Sequence, residues 1–189
     1  MTDTPARITP LPASQRGASF SLRNRLFRAF WNTSWLLLAA WTPAPFHPWR
    51  RLLLRLFGAR IAPTARIYGS ARIWYPPHLQ MGEYAVLGPR ANCYCQAPVT
   101  IEAHATVSQD AELVTGTHDI DDPHFQLVAR PVRVGRHAWV AAGAFVGPGV
   151  TIGEGAVLGA RAVAFSDLAP WTVYAGNPAK VLRQRRPIA

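Results

Sequence analysis

The stretch VGRHAWVAAGAFVGPGVTIGEGAVLGARAV, residues 134–163, divides into consecutive hexads that share one pattern. The first position of each hexad is aliphatic, the second is Gly or Ala, and the fifth is small or apolar. A short fixed period is the signature of a solenoid, in which each unit buries its apolar positions by stacking on its neighbours. We therefore expect the first positions to point into a common interior: Val134, Val140, Val146, Ile152 and Leu158.

The same pattern continues upstream, and its register slips only after every third hexad. Two residues are inserted after the first and second triplets, and fifteen after the third. This is expected if each coil has three sides and every insertion leaves from one corner. The sequence predicts an all-β solenoid of about five coils over residues 61–175, with the loop 118–133 inserted. The upstream hexads begin at Ile61, Ile67, Ile73, Met81, Leu87, Cys93, Ile101, Val107 and Leu113.

Residues 20–60 lack hexads and predict an amphipathic helical region. In its second half, Arg50, Arg51 and Arg55 fall off the apolar stripe, and Gly58 is predicted to end the helix. Two interpretations stay open: the helices cap the first coil, or they lie on an anionic membrane through residues 20–57. The predicted stripes consist of Leu22, Leu26, Phe27, Phe30, Trp31, Trp35, Leu37, Leu38 and Trp41, then Trp49, Leu52, Leu53, Leu56 and Phe57.

Positive charge is concentrated at the two ends of the chain. Residues 1–60 hold nine Arg and one Asp, and residues 180–186 add four cations. Residues 1–19 are predicted to be a flexible N-terminus, and residues 176–189 a short basic tail. A near-neutral body without a recognised nucleic-acid module argues against a nucleic-acid partner. The two cysteines and the absence of a signal-like segment predict a cytoplasmic protein, with the inner face of the membrane as an option.

Several motifs add a family resemblance to this pattern. They are WRRLLLRLFGARI (49–61), the Ser-Gln pair 108–109, TGTHDIDDP (115–123) and GVTIGEGAVLGARAVAFSDLAPWTVYAGNPAKVLR (149–183). The chain resembles the left-handed parallel β-helix of the hexapeptide-repeat acyltransferases, and more narrowly the WcaF-type colanic acid and exopolysaccharide acetyltransferases. This resemblance implies a left-handed winding, a homotrimer and acetyl-CoA as co-substrate. It also implies acetyl transfer to a sugar hydroxyl in exopolysaccharide or cell-envelope glycan synthesis, on an acceptor that can be lipid-linked.

His118 opens the long excursion from the repeat. An imidazole, whose unperturbed pKa is about 6.5, suits removal of a hydroxyl proton during acyl transfer. By resemblance His118 matches the catalytic histidine of the family's T-G-[TS]-H motif; the alternative is an ordinary loop histidine. Asp119 is a candidate for binding the acceptor or orienting His118, whereas the Asp-Asp pair 121–122 favours a turn. Asn92 resembles an asparagine that contacts the acceptor sugar in related enzymes.

The donor site follows from the resemblance alone. The backbone N–H of Ala142 would face the thioester carbonyl and stabilise the developing oxyanion. Lys180 and Arg183 would meet the coenzyme phosphates, unless they belong to a solvated tail. The full set of implied coenzyme contacts is Trp139, Ala142, Ala160, Ser166, Lys180 and Arg183.

Two other classes of function remain. A metal-dependent hydratase of the γ-carbonic-anhydrase type needs three converging histidines. His118 and His124 have suggestive spacing, but His104 and His137 occupy outward positions and are expected to be solvated turn residues, so no metal is expected. A non-catalytic scaffold would use the repeat alone.

Overall fold

The computed structural model describes residues 20–187. The predicted flexible N-terminus, residues 1–19, and the last two residues of the predicted tail lie outside the described residues. The rest forms a three-sided parallel β-solenoid that begins with two helices, α1 (Leu22–Leu38) and α2 (His47–Leu56). Short 3-10 helices cover Ala44–Phe46 and Pro76–His78.

Three faces of short parallel strands form the prism. Face A contains β1 (Arg60–Ile61), β4 (Leu79–Met81), β7 (Val99–Ile101), β12 (Val132–Val134) and β15 (Thr151–Ile152). Face B contains β2 (Arg66–Ile67), β5 (Val86–Leu87), β8 (Thr106–Val107), β13 (Trp139–Val140), β16 (Val157–Leu158), β18 (Thr172–Ala175) and the antiparallel β19 (Lys180–Gln184). Face C contains β3 (Arg72–Ile73), β6 (Asn92–Tyr94), β9 (Glu112–Val114), β14 (Phe145–Val146) and β17 (Val163–Ala164).

The interior of the prism matches the hexad pattern. Val134, Val140, Val146, Ile152 and Leu158 are all fully buried, as are the small fifth-position residues between them. The predicted solenoid is confirmed: five complete coils are followed by a partial sixth, in which Leu168 bridges to Ile152 and β18 pairs with β16. Every insertion leaves from the corner between faces C and A, including the hairpin of β10 (Gly116–His118) and β11 (Leu127–Ala129).

The corner between faces A and B carries a column of rings. Tyr84, His104 and His137 each occupy the fourth hexad position with a positive φ, between 56° and 59°. Tyr84 stacks on His104 at 5.0 Å, and His104 stacks on His137 at 4.9 Å. His104 and His137 are thus turn residues at outward positions, as expected, and coil stacking also brings their imidazoles into contact.

The helices cap the open edge of the first coil, whose carbonyls have no lower strand to pair with. From α1, the indole N–H groups of Trp31 and Trp35 donate to Ile73 O and Gly69 O, at 2.7 and 3.0 Å. Indole and guanidinium donors thus replace the missing strand at this edge. No helix in the described part of the chain is long and apolar enough to cross a membrane.

The arginines of α2 serve the same edge. Arg50 is fully buried and donates to Ile67 O at 2.6 Å, and four further hydrogen bonds hold residues 42–44. Arg51 donates to Ala65 O, and Arg55 to Ile61 O. The expectation that these arginines avoid the packed face of α2 is therefore wrong, because the coil edge requires donors that leucine cannot supply.

The opposite end is closed by β18 and β19. Residues 180–184, expected within a basic tail, form β19 and pair antiparallel with β18. Beyond β19, the Arg185 guanidinium donates to His137 O at 3.0 Å and Gly155 O at 2.8 Å. It thereby joins the C-terminal segment to the A–B corner of coils four and five.

Candidate active site

The excursion that carries His118 begins at a rigid root. Thr115 is buried, and its hydroxyl donates to Tyr94 O at 2.9 Å and accepts from the Ala97 N–H at 3.0 Å. A Cβ at Gly116 would come within 1.7 Å of Gln96 Oε1, so any larger residue there would force that buried amide to move. The Thr-Gly pair therefore fixes the point and direction in which the chain leaves the coil.

His118 ends β10 and is held by Phe125 across the hairpin. Its Nδ1 lies 2.8 Å from Phe125 O, and the two rings stack at 4.5 Å with an interplanar angle of 9°. Because a carbonyl oxygen only accepts, Nδ1 must donate, which leaves the Nε2 lone pair of the neutral imidazole free. His118 is exposed, so that lone pair is open to an incoming hydroxyl group.

Phe125 has a φ of 50°, a left-handed conformation that is uncommon for a bulky residue. Its N–H donates to Asp122 O at 2.8 Å, which closes the turn and directs its carbonyl toward His118. Sequence reasoning missed Phe125, because no residue pattern predicts that a phenylalanine adopts this backbone conformation.

The three acidic residues after His118 shape the turn. Asp119 Oδ1 accepts from the Asp121 N–H at 3.1 Å, and Asp122 Oδ1 accepts from the His124 N–H at 2.8 Å. Neither bond involves the His118 ring, which is positioned by the Phe125 carbonyl instead. These contacts are the Asx-type turns for which aspartate is favoured.

Asn92 lies on face C, one coil below the strand that leads into the excursion. It is paired in register with Glu112 of β9, and its amide lies 3.3 Å from Glu112 Oε2. Asn92 also lines a cleft of about 530 Å³ between α1 and the first two coils. Trp74 and Tyr94 line the same cleft, and their rings pack edge to face with centroids 5.8 Å apart.

The candidate oxyanion donor lies at the B–C corner. Ala142 and Ala160 occupy equivalent positions of coils four and five, and the Arg161 N–H donates to Ala142 O at 2.9 Å. Within residues 20–187, the Ala142 N–H has no acceptor, so it is available to a bound carbonyl. Trp139 precedes this corner on face B, where its indole donates to Ser108 Oγ at 2.9 Å and its side chain is 45% exposed.

The remaining candidates are spread over the fold. Ser166 is exposed at the C–A corner, at the other edge of face C from Ala142. Lys180 and Arg183 are exposed on β19, beside face B. A single chain therefore places His118 and Ser166 at one edge of face C, and Ala142 and Ala160 at the other.

The described residues contain no group of three His, Cys, Asp or Glu side chains close enough to hold a metal ion. The alternative of a metal-dependent hydratase requires such a group. Cys93 and Cys95 are buried in the coil interior. The hydrogen bond with Cys95 raises the pKa of the Cys93 thiol, and burial raises it further. Such a thiol is poorly suited to covalent acyl transfer.

Comparison with known proteins identifies the family of the chain. Residues 131–164 match the bacterial transferase hexapeptide family (six repeats). The chain is 43% identical over 146 residues to the "Putative colanic acid biosynthesis acetyltransferase WcaF" of Escherichia coli K12, covering 77% of this chain and 80% of that protein. The chain belongs to the hexapeptide-repeat acetyltransferase family. The enzyme class expected from the sequence, an acyltransferase, is thereby confirmed.

Solved structures support the fold at lower identity. A maltose O-acetyltransferase from Clostridium difficile 630 superposes with a TM-score of 0.77 at 22% identity, covering 88% of this chain and 90% of that one. The acetyltransferase VCA0836 of Vibrio cholerae O1 biovar eltor, solved with acetyl coenzyme A, gives 0.78 at 20% identity, covering 92% and 94%. At these identities the likeness concerns the solenoid and its helices.

Proposed function

We propose that the enzyme transfers the acetyl group of acetyl-CoA to a sugar hydroxyl during exopolysaccharide or cell-envelope glycan synthesis, with His118 as the general base. The observation that carries the proposal is the Nδ1 contact to Phe125 O, which selects the tautomer of the neutral imidazole in which the exposed Nε2 carries the lone pair. Family membership supports the acetyl donor, and the name of the WcaF relative supports a glycan acceptor.

In this mechanism Nε2 of His118 accepts the hydroxyl proton as the sugar oxygen attacks the thioester carbonyl carbon. The Ala142 N–H donates to the oxyanion that develops there, an interaction commonly worth about 3–4 kcal/mol. As the carbon–sulfur bond breaks, the imidazolium returns its proton to the departing sulfur. No covalent acyl-enzyme forms, and Asn92 and Asp119 are proposed to bind the acceptor.

The donor contacts fit a backbone-lined groove. Alanines at 142 and 160 leave their corner free of bulky side chains, so a pantetheine arm can approach the main chain. Ser166 and Trp139 are proposed to flank this arm, and Lys180 and Arg183 to pair with the coenzyme phosphates.

A homotrimer forms part of the proposal. Ala142 and His118 lie at opposite edges of face C in one chain. We infer that the working site combines the His118 edge of one subunit with the Ala142 edge of its neighbour. The proposed acceptors include lipid-linked sugars, with the enzyme at the inner face of the membrane.

The role of His118 as the general base is tested with two variants of this residue. His118→Ala removes the imidazole, whereas His118→Asn retains a donor for Phe125 O without providing a base. Both are expected to lower kcat by about 10²–10⁴-fold in acetyl-CoA cleavage assays with a panel of sugar acceptors. Full activity in either variant would show that another group takes the proton.

The shared site is tested by mixing two inactive variants. His118→Ala lacks the base, and Ala160→Trp fills the exposed donor corner, so each homotrimer should be inactive. If the site forms between subunits, refolded or co-expressed mixtures recover part of the activity, because some interfaces combine two intact edges. Mixtures that stay inactive, with mixed trimers confirmed by mass, would place the whole site within one chain.

A further inference from the structure

The base of the prism, the surface of α1 and α2 that faces away from the first coil, is strongly apolar. On α1, Leu22, Leu26, Phe30 and Leu37 lie on the side opposite the buried Trp31 and Trp35, and Leu26 and Phe30 are 62% and 67% exposed. On α2, Trp49, Leu52 and Leu56 are also exposed.

Both helices also bury apolar residues against the protein, Trp31 and Trp35 on α1 and Leu53 and Leu54 on α2. The outward stripe is therefore a second apolar face, on the side where an ordinary surface helix is polar. The arginines of α2 share its protein-facing side with Leu53 and Leu54, because they donate to the edge carbonyls of the first coil. Its leucines at 52 and 56 consequently face outward. The two stripes are contiguous, since Phe30 packs on Phe57 at 5.5 Å and the Trp49 indole donates to Leu38 O at 2.7 Å.

Positive charge surrounds the base. Residues 20–82 contain nine arginines and no acidic residue. Arg23 and Arg25 are exposed on α1 beside the apolar stripe. The first coil places one exposed arginine on each face of the prism, directly above the base: Arg60, Arg66 and Arg72.

We propose that the base docks on the surface of an anionic lipid bilayer. The exposed leucines and aromatic rings enter the boundary between headgroups and acyl chains, and the surrounding arginines meet lipid phosphates. A neutral apolar partner would not need the arginines, and a second copy of the base would bring like charges together. The proposal rests only on the surface formed by α1 and α2, and it does not depend on which acceptor the enzyme uses.

The test is co-sedimentation of the full chain with vesicles of phosphatidylcholine alone or with added phosphatidylglycerol. The wild type is expected to bind the mixed vesicles, and to bind less as salt rises. Leu26→Gln, Leu37→Gln and Leu56→Gln together should weaken binding at least about a hundredfold, because three large apolar side chains no longer insert. Arg23→Gln with Arg25→Gln should weaken binding about tenfold, on the anionic vesicles only.

The matched control is Leu182→Gln, which changes a leucine that is 67% exposed on β19, at the other end of the prism. It should bind vesicles like the wild type. Equal binding of the wild type to neutral and anionic vesicles would overturn the proposal, and so would no binding to either. If the leucine variants instead reduce the oligomer size in light scattering, the base is a contact between copies, which also overturns it. The leucine and arginine variants of α1 and α2 should keep wild-type activity on a soluble acceptor. A failure of the membrane proposal is therefore distinct from a failure of the proposed acetyl-transfer chemistry.

Discussion

The repeat and the excursion, residues 115–131, are built on opposite principles. In the repeat, the strands place one apolar residue per hexad in a buried interior column, where it packs against neighbouring coils. In the excursion, His118, Ile120 and Phe125 are exposed, and one short hairpin and a turn of Asx bonds hold the loop together. We propose that the repeat provides the stability of the fold and the excursion provides the chemistry, and variants in each region test that division.

The largest expected effect on stability comes from the repeat. Leu158→Ala removes a fully buried side chain from the coil interior and leaves a cavity that neighbouring strands cannot fill. We expect it to lower the free energy of unfolding by about 2–5 kcal/mol. Urea denaturation at a fixed protein concentration measures this loss.

The matched change in the excursion is Ile120→Ala, at a side chain that is 80% exposed. It should alter the free energy of unfolding by less than about 0.5 kcal/mol. Equal losses in the two variants would mean that the excursion contributes to the folding core, contrary to the division proposed.

The second effect concerns activity without stability. Phe125→Gly keeps the backbone carbonyl near His118, since glycine tolerates the positive φ, but removes the stacked ring. We expect kcat to fall about tenfold, equivalent to about 1.4 kcal/mol, because the imidazole loses the surface that restricts its rotation. Thermal unfolding should be unchanged.

The control at this position is Phe125→Tyr, which keeps both ring and carbonyl and should retain nearly full activity. A Gly variant with wild-type kcat and pH profile would show that the carbonyl alone positions His118. A lowered melting temperature would instead mean that the ring has a structural role.

The sequence predicted the repeat well because its rule is local. An aliphatic residue every six positions specifies the interior, and the slips at residues 79, 99 and 119 locate the corner where insertions leave. The C-terminal closure was harder to predict, because Leu168 and β18 join the solenoid after the small second position has been lost. Pairing of β19 with β18 depends on a chain reversal that the hexads do not encode.

The details of the candidate site depend on contacts that no short pattern contains. The TGTH motif located His118, but the group that positions its ring is a carbonyl seven residues away, set by the φ of Phe125. The helical wheel likewise placed Arg50 on the solvent side of α2. Its burial follows from unpaired carbonyls on the first coil and in the 42–44 loop, which become neighbours only after folding.

The third effect separates the donor-binding interpretation of β19 from a solvated strand. Lys180→Ala with Arg183→Ala should raise the KM for acetyl-CoA about fivefold to tenfold and leave kcat unchanged, because phosphate pairing contributes equally before and during reaction. Arg185→Ala is the control: its guanidinium bonds carbonyls of two coils, so it should lower the melting temperature without changing KM. An unchanged KM in the double variant would favour the solvated interpretation.

The smallest effect comes from the ring column at the A–B corner, and depends on pH. Burial lowers the pKa of His137 from its ordinary value of 6.5, and the neighbouring His104, Arg136 and Arg185 lower it further, whereas Glu154 opposes them. The folded state disfavours the charged imidazole of His137. This residue therefore does not affect the free energy of unfolding above pH 6.5, and lowers it as the pH falls from 6.5 towards the pKa that His137 has in the folded protein.

His137→Gln should therefore lose less stability than the wild type between pH 8 and pH 5. We expect a difference in melting temperature of no more than about 2 °C, since solvent screens a partly exposed imidazole. His124→Gln, in the exposed turn of the excursion, is the matched control and should follow the wild-type curve. If both variants shift alike, the acid sensitivity does not arise from the stacked corner, and the contrast between the repeat and the excursion does not extend to their histidines.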